Sequence, residues 1–362
     1  MNFKKEKLET SVRQLQLENF HSLDERNKSN LKKFSSFIKY CRANIPIYHD
    51  LPVIGDNSIE SYHLLLKEIN KDIVNNNSIF ILNSNYNGKV FKKTTSGTTG
   101  IPSHFYFNPD WVHDKVSRFI FNIDTLLKSP SNWSFINISD NPKIVEIDTF
   151  YPYKENPKYL RFSIFSSNCI SRFIDSSTMF RPYVLHGKPS TLVILGQKTN
   201  KSSKLINPCR IITSGENLNL YQRQELEKKF KTKVYNAYSS TEFGDVACEC
   251  EYHDGMHFSD SRFYIEIKNK QENGFGEILI TDFSNHLFPL IKYNTGDIGA
   301  IDYSTCKCGS SYPRLKIESG RRIYYFKAPN NEFFNPNELI DSFRKINLFL
   351  FHLEQESYYN YT

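Results

Sequence analysis

Arg210-Ile211-Ile212, then Tyr221-Gln222-Arg223-Gln224-Glu225-Leu226-Glu227-Lys228-Lys229-Phe230, then Lys233-Val234-Tyr235-Asn236-Ala237 follow one another in a single stretch of the chain. The two outer runs read as short strands, and the charged, amphipathic run between them reads as a helix. Strand, helix, strand is the parallel crossover unit, which sets the fold class as α/β and directs attention to the carboxyl ends of the strands, where such sheets bind ligands. The second strand runs directly into Tyr238-Ser239-Ser240-Thr241-Glu242-Phe243-Gly244. A turn dense in hydroxyl and carboxylate groups is therefore expected at such an end.

Working outward, Lys143 to Ile147 and Thr191 to Leu195 read as further short buried strands. Phe34, Phe37, Ile38 and Cys41 stand at helical spacing, and Pro46 follows closely enough to end that helix. Downstream, Phe263, Ile265 and Ile267 alternate with Tyr264, Glu266 and Lys268, and Ile278 and Ile280 alternate in the next run, as half-buried antiparallel strands do. No internal repeat or low-complexity linker interrupts the pattern.

With 362 residues the chain is long enough for two compact units, and its 23% charged and 15% aromatic content excludes a disordered chain. The opening Met1-Asn2-Phe3-Lys4-Lys5-Glu6 lacks an apolar core, so neither a signal peptide nor a membrane span is expected, and the cytoplasm is the expected location. The 46 basic and 39 acidic residues give a net charge of +7 without a block of like charges. That balance suits anionic nucleotides and makes neither a nucleic acid nor a membrane an expected partner.

Phe91 to Pro102 reads Phe-Lys-Lys-Thr-Thr-Ser-Gly-Thr-Thr-Gly-Ile-Pro. Glycines let backbone amides turn inward, and the threonines and serine add hydroxyl donors, so the loop can wrap a polyphosphate; as a bare pattern it also fits a surface hairpin. It is not a Walker loop, since no Gly-Lys-Ser/Thr closes it. Seven cysteines are too many to leave unread. Four lie in two close pairs, Cys248 with Cys250 and Cys306 with Cys308, and His257 follows the first pair. Thiolates and an imidazole from two segments are what tetrahedral zinc takes, with Cys248 and Cys250 both open as the first ligand.

The Thr/Ser/Gly loop, Tyr238-x-x-Thr241-Glu242, Tyr293-Asn294-Thr295-Gly296-Asp297 and Gly320-Arg321 occur in that order. This ordered set resembles the adenylate-forming superfamily, and within it the phenylacetate:CoA ligase and capsule-biosynthesis branch. Ser103 after Pro102, the cysteines that follow Thr241-Glu242, and Cys306-Lys307-Cys308-Gly309 ahead of Gly-Arg carry the narrower likeness. It extends from about Asn44-Ile45-Pro46-Ile47-Tyr48 to about Gln355. The resemblance implies a large adenylating domain over residues 1–320, built of two α/β subdomains and a small distorted β-barrel, with a zinc site inserted at 248–308. Residues 321–362 would be a shortened remnant of the C-terminal domain.

The implied reaction is attack of a carboxylate on the α-phosphate of ATP, giving an acyl-adenylate and pyrophosphate, with CoA, a carrier-protein thiol or an amine as acceptor. Thr95, Ser96, Gly97, Thr98, Thr99 and Gly100 would hold the β- and γ-phosphates. Glu242 would hold Mg²⁺, and Thr241 would meet the α-phosphate. Asp297 would clamp the ribose hydroxyls, and Arg321 would reach ribose or phosphate. Ser214, Gly215, Glu216, Asn236, Ala237 and Tyr238, with Ser239 beside them, would line the adenine slot. The likeness also selects Cys250, His257, Cys306 and Cys308 as ligands of a structural Zn²⁺, leaving Cys248 a buried neighbour. About forty residues follow Arg321, too few for a complete α/β domain, and Ile323 stands near the superfamily's hinge aspartate. Lys327 and Lys345 match no motif, so no catalytic lysine is assigned. A partner chain supplying that lysine, or a silent nucleotide-binding or assembly protein, is the alternative expectation.

Overall fold

The computed structural model describes residues 5–53, 58–95, 102–130, 132–141, 147–150, 158–199, 206–319, 326–327 and 333–334. Ser96 to Gly100, Arg321 and nearly all of 321–362 lie outside the described residues, as do Lys143 to Glu146. One sheet of twelve strands organises the rest. Its order is Phe263–Lys268, Gly276–Asp282, Tyr293–Asp302, Arg314–Ser319, Met256–Phe258, Gly244–Glu249, Val234–Ser240, Arg210–Thr213, Tyr183–Gly187, Ser134–Ser139, Lys158–Ser163, Ile147–Phe150.

The strand Val234–Ser240 is where the sheet changes character. Its first half pairs in parallel with Arg210–Thr213, matching Ile211 with Val234 and Thr213 with Asn236. Its second half pairs antiparallel with Gly244–Glu249, matching Ala237 with Cys248 and Ser240 with Gly244. From there the parallel order continues through Tyr183–Gly187, Ser134–Ser139 and Lys158–Ser163. On the other side the ladder is antiparallel out to Phe263–Lys268, the alternating strand of the sequence. Pairing changes from parallel to antiparallel at Asn236 and Ala237, just before the Tyr238 to Glu242 segment.

The expected helix over Phe34 to Cys41 lies in Leu23–Asn44, with a Ser22 capping box at its start, and those four residues are buried. The helix Leu220–Phe230 supplies the crossover between Arg210–Thr213 and Val234–Ser240. Thr191 to Leu195, read above as a strand, is instead part of the helix Pro189–Lys198. Pro189 at its first turn is preorganised for a helix, and Leu192 and Leu195 are buried three residues apart on one face. A short apolar run has no period that separates these two outcomes. Of Lys143 to Ile147 only Ile147 is described, as the first residue of the edge strand Ile147–Phe150. No helix among the described residues is long and apolar enough to cross a membrane.

Apolar side chains on both faces hold the sheet. Phe34, Trp111, Phe243, Phe263, Ile280 and Tyr293 belong to one core, on the antiparallel side. Leu160, Phe173, Leu185, Leu192 and Phe230 form another under the parallel strands. Packing between strands is tight at Gly299, where an added Cβ would stand 2.6 Å from the backbone oxygen of Lys316 and 2.8 Å from Ile278 Cδ1. Backbone cannot swing aside as a side chain does. Gly299→Ala is therefore expected to cost about 1–3 kcal/mol, read as a lower urea midpoint; an unchanged midpoint would mean that these strands separate freely.

Candidate active site and cysteine cluster

Where the pairing changes, two sequence-distant segments touch. Tyr238 Oη donates to Asp297 Oδ2 at 2.6 Å, and Tyr293 Oη donates to Glu242 Oε1 at 3.2 Å. Both Tyr293 and Asp297 lie on the strand Tyr293–Asp302, so one strand meets both ends of the Tyr238 to Glu242 turn. Burial, reinforced by the adjacent Asp297 carboxylate, pushes the Tyr238 phenol well above its ordinary range and keeps it a donor. Glu242 is buried, at 8% exposure. The backbone that carries it is fixed: Phe243 N donates to Ser240 Oγ at 3.2 Å, and Arg118 donates to the carbonyls of Phe243 and Asp245 at 3.2 and 3.3 Å. Arg118 is in turn ion-paired with Asp114. Thr241 and Ser239 lie half-buried on this turn.

Ser214 and Gly215 follow the strand Arg210–Thr213, and Gly215 takes the left-handed conformation, φ +81°, that glycine adopts without strain. Ser214 Oγ is 3.0 Å from His186 Nε2. Glu216 faces the helix Pro189–Lys198 instead, accepting from Ser190 Oγ at 2.7 Å with Lys188 Nζ at 3.6 Å. Its carboxylate is thus a brace for a helix start, although its backbone remains part of the segment expected to flank adenine. Asn236 N donates to Glu249 Oε2 at 2.8 Å, and Ala237 is buried beside it.

Thr95 closes the base of a hairpin. Its amide donates to Ser103 O, and its Oγ1 accepts from Ser103 N, both at 3.0 Å, above the pair Phe91–Thr94 and His104–Phe107. The hairpin packs toward these residues through Phe105, whose ring meets that of Tyr293 edge-on at 6.4 Å.

Other side chains at the parallel strand ends carry no sequence motif. Asn137 hydrogen-bonds His186 Nδ1, and Arg161 is in register with Asn137 on the far side. Burial first, with the charges of Lys115 and Arg161 adding to it against Asp245, holds His186 down at about 4. The ring is therefore neutral at pH 7. Register across strands brought these residues together, and no local spacing announces it.

The cysteine cluster is compact. One ligand atom each from Cys250, His257, Cys306 and Cys308 lie within 4.8 Å of one another. Cys250 Sγ is 3.7 Å from Cys306 Sγ, and Cys308 Sγ is 3.4 Å from His257 Nε2. A tetrahedral zinc with Zn–S bonds of about 2.3 Å has S···S edges of about 3.8 Å, so the donor set fits that ion. His257 Nδ1 is 2.9 Å from the carbonyl of Tyr312, which accepts its proton and leaves Nε2 facing the thiols. Gly309, at φ +86°, lets the chain turn back after Cys308, and Ser310 N donates to Cys308 Sγ at 3.4 Å. Cys248 is buried outside this group.

No protein-family model matches the chain. It is 24% identical over 282 residues to Protein CapK of Staphylococcus aureus, an alignment that spans 74% of this chain and 61% of that one. To the phenylacetate-coenzyme A ligase of Thermus thermophilus it is 25% identical over 154 residues, 39% of this chain and 35% of the other. The chain thus spans less than two thirds of either curated relative. Among solved structures it is similar to 2-hydroxyisobutyryl-CoA ligase in an open conformation with 2-HIB-AMP and CoA, with a TM-score of 0.71, 16% identity, and coverage of 91% of this chain and 82% of that one. The same ligase in its postadenylation state gives a TM-score of 0.74 at 16% identity, covering 91% and 74%. In sequence this chain is thus similar to members of the phenylacetate:CoA ligase-like branch of the adenylate-forming superfamily, and its fold is the one 2-hydroxyisobutyryl-CoA ligase has.

Proposed function

We propose that the chain activates a carboxylic acid with ATP, forming an acyl-adenylate and releasing pyrophosphate, for transfer to CoA or another acceptor. One observation carries this reading: Tyr238 with Asp297, and Glu242 with Tyr293, converge where the sheet changes from parallel to antiparallel pairing. The reaction brings an anion onto a polyanion, so positioning and charge neutralisation are its main demands. Asp297 is suited to accept from both ribose hydroxyls, with Tyr238 steering its carboxylate. The Ser214-Gly215-Glu216 backbone and Asn236 to Tyr238 flank the adenine. Ser239 and Thr241 present hydroxyls toward the phosphates, as does Thr95 at the base of its loop. Ser96, Gly97, Thr98, Thr99, Gly100 and Arg321 keep their proposed phosphate and ribose roles.

Glu242 is the carboxylate suited to hold Mg²⁺, which when bound neutralises phosphate charge; Tyr293 keeps one of its oxygens oriented. Cys250, His257, Cys306 and Cys308 would hold a structural zinc that braces the antiparallel half of the sheet.

Incubating the protein with ATP, Mg²⁺ and a panel of carboxylic acids while measuring pyrophosphate tests the reading. Release that depends on the acid and the metal is expected. AMP binding without release for any acid would favour the silent nucleotide-binding alternative, and neither binding nor release would remove the proposal.

A further inference from the structure

Resting on the adenylating reading above, we propose that the acid this site accepts carries a second anionic group, held by Arg161, Lys115 and Lys93. The three cations come from separate elements. Arg161 stands on Lys158–Ser163, Lys115 on the helix Pro109–Phe121, and Lys93 on Phe91–Thr94, two residues before Thr95. Lys115 and Arg161 both act electrostatically on Lys93 and on His186, as does Asp245, so these groups share one space. That space adjoins the nucleotide site on two sides. His186 contacts Ser214 at 3.0 Å, and Asp245 is three residues beyond Glu242, on the strand Gly244–Glu249 that follows it.

Among the described residues the charges do not balance within it. Asp245 is the carboxylate of this group, with its Oδ2 at 3.9 Å from Lys115 Nζ, a loose ion pair. Arg161 Nε is buried and makes no hydrogen bond among the described residues. Lys93 lies over the rings of Phe107 and Trp111 at 5.5 and 5.7 Å. The side chain stays partly open to solvent, yet desolvation against those rings, and then the neighbouring Lys115 charge, push its ammonium down to about 8. Crowded cations and an unsatisfied guanidinium donor cost stability unless an anion completes them. An apolar acyl chain would leave them unpaired, whereas a carboxylate at the far end of the acid would not. His186, neutral and held between Asn137 and Ser214, adds a polar edge without charge.

Calorimetric titration of the whole chain with AMP present tests this without requiring turnover. The probes are succinate, glutarate and adipate, set against butyrate, pentanoate, hexanoate and phenylacetate. The best diacid should bind at least about tenfold more tightly than the monoacid of equal length, and the preference should shrink as salt is raised. Arg161→Met and Lys115→Met should each cut the preference at least about fivefold with AMP affinity unchanged. Lys270→Met, on the exposed turn between Phe263–Lys268 and Gly276–Asp282, should leave it intact. Equal affinity for mono- and diacids, or tighter phenylacetate binding, overturns the inference while AMP binding still upholds the nucleotide site. Variants that weaken ATP alone and spare the acid preference would assign the cations to phosphate and overturn it too. Failure to bind AMP would remove the adenylating reading and this inference with it.

Discussion

Protein purified without chelator is expected to carry about one equivalent of zinc, and Cys306→Ser or Cys308→Ser to reduce it below about a tenth. Serine is a poor ligand where thiolates are required, and the 3.7 Å Cys250–Cys306 contact leaves no room for a substitute donor from further away. The stability effect should be large, because the ligands join two segments of the sheet more than 50 residues apart, Cys250 and Cys306 among them. Losing such a site costs several kcal/mol, which in a chain of this size lowers Tm by roughly 10 °C. Nucleotide affinity should fall second. Cys250 directly follows Glu249, whose carboxylate accepts Asn236 N at 2.8 Å and two bonds from Arg223 at 2.8 and 3.0 Å. Loosening that strand end loosens the start of the proposed adenine slot. Cys41→Ser and Cys169→Ser, both buried elsewhere, should leave metal content untouched. Elemental analysis that finds under a tenth of an equivalent in the unmodified protein would remove the site; Cys248→Ser losing the metal while Cys250→Ser keeps it would reassign a ligand.

Periodicity announced most elements that lie on one face of a long run. Phe34, Phe37, Ile38 and Cys41 gave the helix Leu23–Asn44, and the alternation of Phe263, Ile265 and Ile267 gave a strand whose pairing with Gly276–Asp282 matches residue for residue. Leu8, Val12 and Leu15 carry an equally legible stripe in the helix Lys5–Glu18, all of them buried. Where a run was short and wholly apolar, as at Thr191 to Leu195, local pattern failed, and Pro189 two residues earlier was the better signal.

The site divides the same way. Tyr238, Glu242 and Asp297 stand in contiguous motifs, and the family resemblance carried by the order of those motifs, not local spacing, singles them out. Their contact partners were not all visible: Tyr293 belongs to the Asp297 motif, yet its bond to Glu242 depends on the fold of the sheet. Asn137, Arg161 and His186 sit on three strands and meet only through parallel register, which sets side chains about 4.8 Å apart from strand to strand. No local spacing around any one of them encodes the other two. The ligand cluster is intermediate: its close cysteine pairs were legible, while the choice of Cys250 over Cys248 needed either the family likeness or the geometry.

Asp297→Ala is expected to raise the Kd for AMP and ATP together, by roughly a hundredfold, the loss of about 3 kcal/mol when a carboxylate no longer receives two ribose hydroxyls. Both nucleotides present the same ribose and differ only in phosphate, so a common factor is the signature of this role. Local folding should survive the change. The Gly296 turn is held by its own bonds, with Gly296 N donating to Asn294 Oδ1 at 2.9 Å and Asp297 N to Thr295 Oγ1 at 3.1 Å. Tyr238→Phe separates the carboxylate from its support: the phenol only steers Asp297 through its bond to Oδ2, so its removal should weaken both nucleotides by less than about tenfold. Equilibrium titration with a fluorescent AMP analogue, competed by AMP and by ATP, gives all four constants. A loss confined to ATP would move Asp297 from ribose to phosphate or metal, and unchanged binding of both would take it out of the site. A Tyr238→Phe effect as large as that of Asp297→Ala would mean that the ring, and not the carboxylate it steers, carries most of the nucleotide's binding.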